Sequence, residues 1–157
     1  MTKKLNMMVG PPLDKSMDEE AVKVFSADAD AFVACGGITS RVVSTWLGKE
    51  LELEAEYFSD GLMSYGYIGN VIATEGVVTL CAVARYLEGT GEYPSKSSGA
   101  EKILQLFEQA DLVRIVFGTS VNDEHDGELA FEYKEASLYS IKDKLEALGK
   151  EVEIIKF

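Results

Sequence analysis

Residues 31–48, AFVACGGITSRVVSTWLG, restrict the fold more than any other part of the chain. The apolar run at residues 31–35 predicts a short buried strand, and two glycines directly after it predict a tight turn. Apolar residues then recur at helical spacing up to Gly48, and glycine commonly ends a helix. The first N–H groups of such a helix lack partners within it, and its dipole favours negative charge there. The stretch therefore predicts a strand, a turn and a helix whose first turn can hold an anion.

Strand and helix patterns alternate along most of the chain. Apolar runs predict strands at residues 5–9, 31–35, 70–73, 112–117 and 152–157. The segments between most of these runs have helical spacing of their apolar residues. This order predicts a three-layer, Rossmann-like α/β fold, in which a mostly parallel sheet has helices on both faces. With 157 residues, the chain is expected to form a single α/β domain over residues 1–157.

Three further segments have patterns of their own. Residues 51–58 alternate apolar residues with glutamates, which predicts a half-exposed strand at a sheet edge. Residues 59–69 are rich in glycine and aromatic residues, which predicts a loop. Residues 77–87 are apolar nearly all round, which predicts a helix in the interior or against a partner, such as a second copy of the chain.

Serine and glutamate stand three residues apart at two predicted helix starts. Ser16 with Glu19, and Ser98 with Glu101, have the spacing of a capping box. Residues 121–127 are predicted to be a polar loop. Apolar residues at helical spacing then mark a last helix, and these are Leu138, Ile141, Leu145 and Leu148.

The carboxyl ends of the parallel strands are expected to meet at one rim of the sheet, where ligands bind in folds of this type. Glycines and small polar residues stand at these ends: Gly10, Gly36, Gly37, Thr39, Ser40, Thr74, Glu75, Gly76, Gly118 and Thr119. The amides of the first glycine turn, with the hydroxyls of Thr39 and Ser40, are a candidate anion cradle. Turn geometry and helix capping alone can select the same residue types. Arg41, the one basic residue near this turn, can pair with an anion or simply solvate its helix.

Glu75 and His125 are the candidate acid/base residues. Glu75 follows a predicted strand and precedes a helix, where it can bind a ligand hydroxyl, act as a general base, or simply place favourable charge at a helix N-terminus. His125 is the only histidine, and its acidic neighbours predict a solvated loop. Neither residue has a recognisable catalytic partner in the sequence, so chemistry and a structural role both remain open.

Motifs for nucleotides and metals are incomplete. The chain has neither GxGxxG nor GxxxxGK[ST], so no nucleotide or other cofactor is expected. Asp60, in Ser-Asp-Gly, resembles the metal-binding Asp-Gly of metal-dependent phosphatases, but a second acidic motif is missing. Four acidic residues around His125, which are Asp123, Glu124, Asp126 and Glu128, lack the spacing of a calcium loop. We therefore expect no metal site.

The two cysteines, Cys35 and Cys81, lie in apolar segments and form no CxxC motif. Arg41 follows Cys35 at the spacing of the CxxxxxR phosphatase loop, but no aspartate is identifiable as its general acid. Buried free thiols are the simpler interpretation.

The net charge of −12 limits the class of partner. Such a chain repels a nucleic-acid backbone and an anionic membrane surface, so neither is expected as a partner. No apolar run approaches the ~20 residues of a membrane-spanning helix, and the N-terminus lacks a signal-peptide pattern. A cytoplasmic location is therefore expected.

Several motifs together resemble one region of a known family in the same order. They are GPP at residues 10–12, ACGGITSRVVSTWLGKEL at 34–51, GYIGNVIATEGVVTL at 66–80, SGAEKILQLFEQADLVRIVFGTSVNDEH at 98–125 and LEALGKEV at 145–152. The chain resembles the C-terminal segment that follows the catalytic domain in clostridial-type SpoIIE-family serine/threonine phosphatases. The resemblance adds Asn122 and His125 to the rim residues, through a GT-x-x-N-x-x-H pattern that starts at Gly118. Ile38 stands where the family pattern favours threonine.

The resemblance implies a partner, the SpoIIE-type catalytic domain, which has no counterpart in this chain. Phosphatase activity therefore cannot be transferred to it. The leading hypothesis is a non-catalytic, regulatory module that binds a small anionic or phosphorylated ligand at the strand ends. One alternative is a small-molecule enzyme, such as a phosphosugar isomerase or transferase, with Glu75 or His125 as acid/base. Another is a structural dimerisation module formed through residues 77–87.

Overall fold

The computed structural model describes residues 2–121 and 127–157, with side chains from residue 129 onward in the second range. The strands are β1 (Lys4–Val9), β2 (Ala31–Cys35), β3 (Leu51–Glu52), β4 (Gly66–Ile68), β5 (Val71–Thr74), β6 (Leu112–Phe117) and β7 (Glu151–Lys156). The helices are α1 (Asp18–Phe25), α2 (Gly37–Leu47), α3 (Val77–Glu88), α4 (Gly99–Gln109) and α5 (Gly127–Ala147). These elements confirm the predicted alternation of strands and helices.

All seven strands form one sheet in the order β3-β4-β5-β2-β1-β6-β7. The five strands from β5 to β7 are parallel, and β3 and β4 are antiparallel additions at one edge. From β1 the chain moves outward through β2 to β5, then returns to the other side of β1 for β6 and β7. The strand order therefore reverses between β1 and β6, the place where doubly wound folds have their crevice.

Two apolar cores lie on opposite faces of the sheet. One contains Phe25 of α1 and Val43 of α2 against Met8 of β1. The larger core covers the other face and holds residues from α3, α4 and α5, among them Leu80 and Leu138. Helices cover both faces of a mostly parallel sheet, which confirms the predicted three-layer α/β fold.

Apolar runs bounded by turn residues predicted the element ends well. The strand Ala31–Cys35 and the helix Gly37–Leu47 were both expected, and Gly48 ends that helix with a left-handed φ of 65°. At α4 the Glu101 amide donates to Ser98 Oγ at 3.1 Å, so that predicted cap is confirmed. The helix α3 packs against α4 and α5, as its apolar sequence indicated.

The predicted capping box of Ser16 and Glu19 is wrong. Asp14 is the capping residue, and its Oδ1 accepts a hydrogen bond of 2.9 Å from the Ser16 amide at a single 3-10 turn. The helix α1 begins only after that turn, and Met17 at its start makes no side-chain cap. A carboxylate two residues earlier in the chain thus takes the capping role that the serine was expected to have.

The edge of the sheet also differs from expectation. The strand predicted over residues 51–58 has only two residues in the sheet, Leu51 and Glu52, and the whole stretch from residue 51 to 57 is exposed. The segment predicted as a loop contains the short strand β4, whose Tyr67 pairs with Glu52. The apolar side of the alternating pattern is therefore only partly covered by this chain.

The last helix starts much earlier than its apolar marks indicated. The helix α5 spans Gly127–Ala147, whereas its predicted apolar residues begin only at Leu138. Its first half adds Phe131 and Lys134, which lie beside the ends of β1 and β6. Residues 122–126, which include the predicted loop residues Asn122 and His125, lie outside the described residues.

Candidate functional site

The ends of β2 and β5 form one corner of the rim. The Gly36 amide donates a hydrogen bond of 2.9 Å to the Thr74 carbonyl, so the two strand ends are joined. A Cβ on Gly76 would lie 3.3 Å from the Gly36 Cα, and Gly36 has a φ of 112°. The backbone conformation of Gly36 therefore requires glycine. The turn before α2 and the turn before α3 are also in contact with each other.

The ends of β1 and β6 form a second, closed corner. The Gly118 amide donates to the Val9 carbonyl at 2.9 Å, and the Ser120 amide donates to the Pro11 carbonyl at 3.2 Å. A Cβ on Gly118 would lie only 2.2 Å from the carbonyl carbon of Pro11. Backbone therefore fills the point where the strand order reverses, and no side chain fits between the two loops.

Thr39 joins the two corners. Its Oγ1 accepts a hydrogen bond of 3.0 Å from the Gly10 amide, and the contact is buried. Ser40 is buried as well, and its amide donates to the Gly36 carbonyl in the first turn of α2. Both hydroxyls belong to the packed floor of the rim, while Arg41 is exposed on α2.

Gly37 is the open position of the rim. It is exposed, and a Cβ built on it would meet no atom within 4 Å. The helix α2 begins there, and its cap residue, Gly36, makes no side-chain hydrogen bond to the first turn. The space beside Gly37, in the first turn of α2, is therefore open.

Glu75 has a structural partner. Its Oε2 accepts a hydrogen bond of 3.3 Å from the Thr79 amide and lies 3.5 Å from the Thr79 hydroxyl, in the first turn of α3. A carboxylate in this place is favoured by the helix dipole without any ligand. Thr74, the preceding residue, is buried, and its hydroxyl donates to the Ala34 carbonyl at 3.3 Å.

Thr119 lies away from the open position. Its amide and its hydroxyl both donate to the Phe157 carbonyl, each at 3.0 Å, so they hold the last residue of the chain. Asn122 and His125 lie outside the described residues, as do Asp123, Glu124 and Asp126.

A lysine that sequence reasoning missed stands at this rim. The ammonium of Lys134, on α5, lies 2.9 Å from the place that a Cβ on Gly10 would occupy. It also lies 5.6 Å from the centre of the Phe131 ring, which stacks on Phe117 at the end of β6. Among the side chains that the structure describes, no carboxylate forms an ion pair with it.

Burial governs the chemistry of this corner. It lowers the pKa of the Lys134 ammonium, because a charged group loses solvation there. Burial also raises the pKa of the Cys35 thiol to about 12; the hydrogen bond with Thr74 and the Lys134 ammonium lower this pKa by less, and the Glu75 carboxylate raises it further. The thiol is therefore protonated at neutral pH, which is the opposite of what a thiolate nucleophile requires.

The spacing of α5 could have revealed Lys134. Phe131 and Lys134 precede Leu138 by seven and four residues, which places all three on one face of a helix. A lysine within an apolar stripe is unusual and would have marked the residue for attention. The acidic residues from 123 to 128 concealed the pattern, since they indicated a loop.

The other predicted candidates have structural contacts. The Asp60 carboxylate accepts hydrogen bonds from the Leu62 amide at 3.2 Å and the Ser95 amide at 2.9 Å. Cys35 and Cys81 are both free thiols, and the Cys81 sulfur lies 3.5 Å from the Ser137 hydroxyl. Within residues 2–121 and 127–157, no group of three or more metal-binding side chains comes together.

Two grooves lie on the helical face that carries α3, α4 and α5. One, of about 490 Å³, lies along α3 between Val78 and Tyr133. The other, of about 390 Å³, lies between Tyr86, Phe107 and Leu148. Neither groove is lined by the glycines of the rim.

The described part of the chain contains no helix that is both long enough and apolar enough to cross a lipid bilayer. Comparison with family models, with curated proteins and with solved structures gives no match to the chain. Its chemistry therefore has to be inferred from the rim itself.

Proposed function

We propose that the chain is a non-catalytic, regulatory module that binds a small anionic or phosphorylated ligand at the rim, beside Gly37 and Lys134. The observation that carries the proposal is the position of Lys134. Its half-buried ammonium lies against Gly10, in a protein whose net charge is −12. An anion is the group that compensates a poorly solvated cation.

Two features support a ligand of modest size. Gly37 leaves open space above the start of α2, so backbone amides can reach an anion there. Glu75 directly precedes Gly76, whose turn touches that of Gly36, so Glu75 lies at the same end of the sheet. A phosphorylated molecule that also carries a hydroxyl would satisfy both the ammonium and the carboxylate.

The contacts of the candidate catalytic groups favour binding over chemistry. Glu75 accepts a hydrogen bond from Thr79, and burial keeps the Cys35 thiol protonated. A module that binds without turnover needs neither group as a base or nucleophile. We further propose, from the resemblance of its motifs, that the module works beside a SpoIIE-type phosphatase catalytic domain.

Thermal unfolding in increasing inorganic phosphate, and then in small sugar phosphates, tests ligand binding. We expect a saturable rise in the melting temperature. Lys134→Gln should weaken the apparent affinity by about tenfold to a hundredfold, because one charge-assisted hydrogen bond is lost. Lys102→Gln is a matched control, since Lys102 also lies over an aromatic ring, that of Tyr65 at 5.9 Å. Equal weakening in both variants, or no rise in the wild type, would contradict the proposal.

The proposed partner has its own test. The purified chain is added to the isolated catalytic domain of a SpoIIE-family phosphatase, with and without phosphate, and dephosphorylation is followed. We expect a change in rate that depends on Lys134. A rate that never changes would remove the partner and leave ligand binding to be judged separately.

A further inference from the structure

The segment at residues 51–57 has the sequence of a half-buried strand but is exposed throughout. Leu51, Leu53 and Tyr57 alternate with glutamates, yet 41%, 39% and 73% of their surface is exposed. In an ordinary edge strand, one side of such a pattern packs on the sheet or on a helix. Here the chain covers the apolar side only in part, and Tyr57 is the most exposed of the three.

The backbone of this segment is already paired in part with the same chain. Leu51 and Glu52 form β3, the last strand of the sheet, and pair with β4. Further along, the Ser64 amide donates to the Glu56 carbonyl at 2.8 Å, and the Ser64 hydroxyl donates to the Glu54 carbonyl at 2.9 Å. One side of the segment is thus paired, and Leu51 and Glu52 form the free edge of the sheet on the other side.

The negative charge of this segment favours a positively charged partner. Glutamates stand at every second position, which are Glu50, Glu52, Glu54 and Glu56. A second copy of the segment would place glutamates against glutamates, and like charges on adjacent strands repel each other. Nucleic acid and anionic lipid are repelled for the same reason. A strand that carries lysine or arginine at every second position has the complementary charge.

We infer that residues 51–57 are a docking edge for an extended segment of another protein, with alternating basic and apolar residues. The segment adds a strand beside β3, and its backbone pairs with the free edge. Its basic side chains face the glutamates, and its apolar side chains cover Leu51, Leu53 and Tyr57. The glutamates then have two roles, because they also prevent the edge from pairing with itself.

The test uses a dye-labelled peptide of alternating lysine and valine residues, with a glutamate–valine peptide as the opposite probe. Fluorescence anisotropy at physiological salt should show saturable binding of the lysine peptide to the wild-type chain. Glu54→Lys/Glu56→Lys should weaken that binding at least tenfold and create binding of the glutamate peptide. The control, Glu92→Lys/Glu151→Lys, makes the same change in net charge at exposed residues elsewhere and should bind the lysine peptide like the wild type.

Hydrogen exchange locates the contact. The lysine peptide should slow the exchange of amides within residues 51–57, and Leu53→Asp should remove both the protection and the binding. The inference would be overturned if both charge variants lose binding equally, since net charge alone would then explain it. Absence of saturable binding, or self-association of the wild type that Leu53→Asp abolishes, would also overturn it.

Discussion

The hydroxyl of Thr39 accepts a hydrogen bond of 3.0 Å from the Gly10 amide, across 29 residues of sequence. This contact fastens the loop after β1 to the first turn of α2, and it is buried. Thr39 therefore has a structural role in the floor of the rim. Any effect of this residue on a ligand has to be separated from its effect on stability.

Replacement of Thr39 by valine should destabilise the protein. Thr39→Val leaves the buried Gly10 amide without an acceptor, and an unpaired buried amide costs about 1–3 kcal/mol. Thr39→Ser keeps the oxygen and should retain most of the stability. Urea unfolding of both variants measures the difference. Equal stability of the two variants would show that the hydrogen bond contributes nothing.

Gly118 and Gly37 should respond in opposite ways to alanine. A Cβ on Gly118 would lie 2.2 Å from Pro11, whereas a Cβ on Gly37 meets nothing within 4 Å. Gly118→Ala should lower the free energy of unfolding by about 1–3 kcal/mol through overpacking. Gly37→Ala should not lower it, because alanine suits a helix better than glycine. Thermal unfolding of the pair checks this, and a stable Gly118→Ala protein would mean that the two loops can separate.

Asp18 should make stability depend on pH. It is 6% exposed, and its Oδ1 has no hydrogen-bond partner among the described residues. Burial raises the pKa of this carboxyl above its usual value near 3.8. The native state therefore holds the proton more tightly than the unfolded state, so this contribution to stability is full at low pH and is lost as the pH rises through the native pKa.

Asp18→Asn should remove that pH dependence. At pH 7 we expect the variant to be more stable by about 1 kcal/mol. The unpaired, buried oxygen of the charged carboxylate destabilises the native state by more than the helix dipole stabilises that charge. The difference should shrink towards pH 3, where the wild-type carboxyl is protonated. Unfolding free energies across this range provide the measurement. A variant that is less stable at pH 7 would show that the carboxylate has a partner.

The two cysteines should differ in reactivity. Cys35 is buried and burial raises its pKa to about 12, whereas Cys81 is half-buried. Alkylation of the native protein with iodoacetamide at pH 8 should label Cys81 first, and both residues only after unfolding. Peptide mass spectrometry distinguishes them. Fast labelling of native Cys35 would reopen the thiolate chemistry that its burial disfavours.

The sequence was sufficient for the central strands and the turns after them. Apolar runs such as residues 31–35 end at glycines, and short-range stereochemistry fixes such boundaries. The sequence did not predict the contacts between distant loops. The closure of Gly118 on Pro11 depends on strand order, which no local pattern contains. The helical spacing could have marked Lys134, but its place beside Gly10 depends on the strand order.

The prediction for residues 51–58 was only partly correct, and the difference is informative. The alternation of leucine and glutamate correctly indicated an edge segment, yet its apolar side is exposed. A local pattern that agrees with a fold but is not used by it often marks a functional surface. The short strand β4, by contrast, was missed because it has only three residues, begins with a glycine and lies in a glycine-rich segment.

The most direct test of the rim is a phosphate titration followed by backbone amide NMR. Binding should produce saturable shifts confined to the rim, at Gly10, Gly36 and Gly37, and Lys134→Met should weaken the fitted affinity at least tenfold. Shifts that appear only at exposed lysines, or an affinity that Lys134→Met leaves unchanged, would contradict a ligand site at this rim.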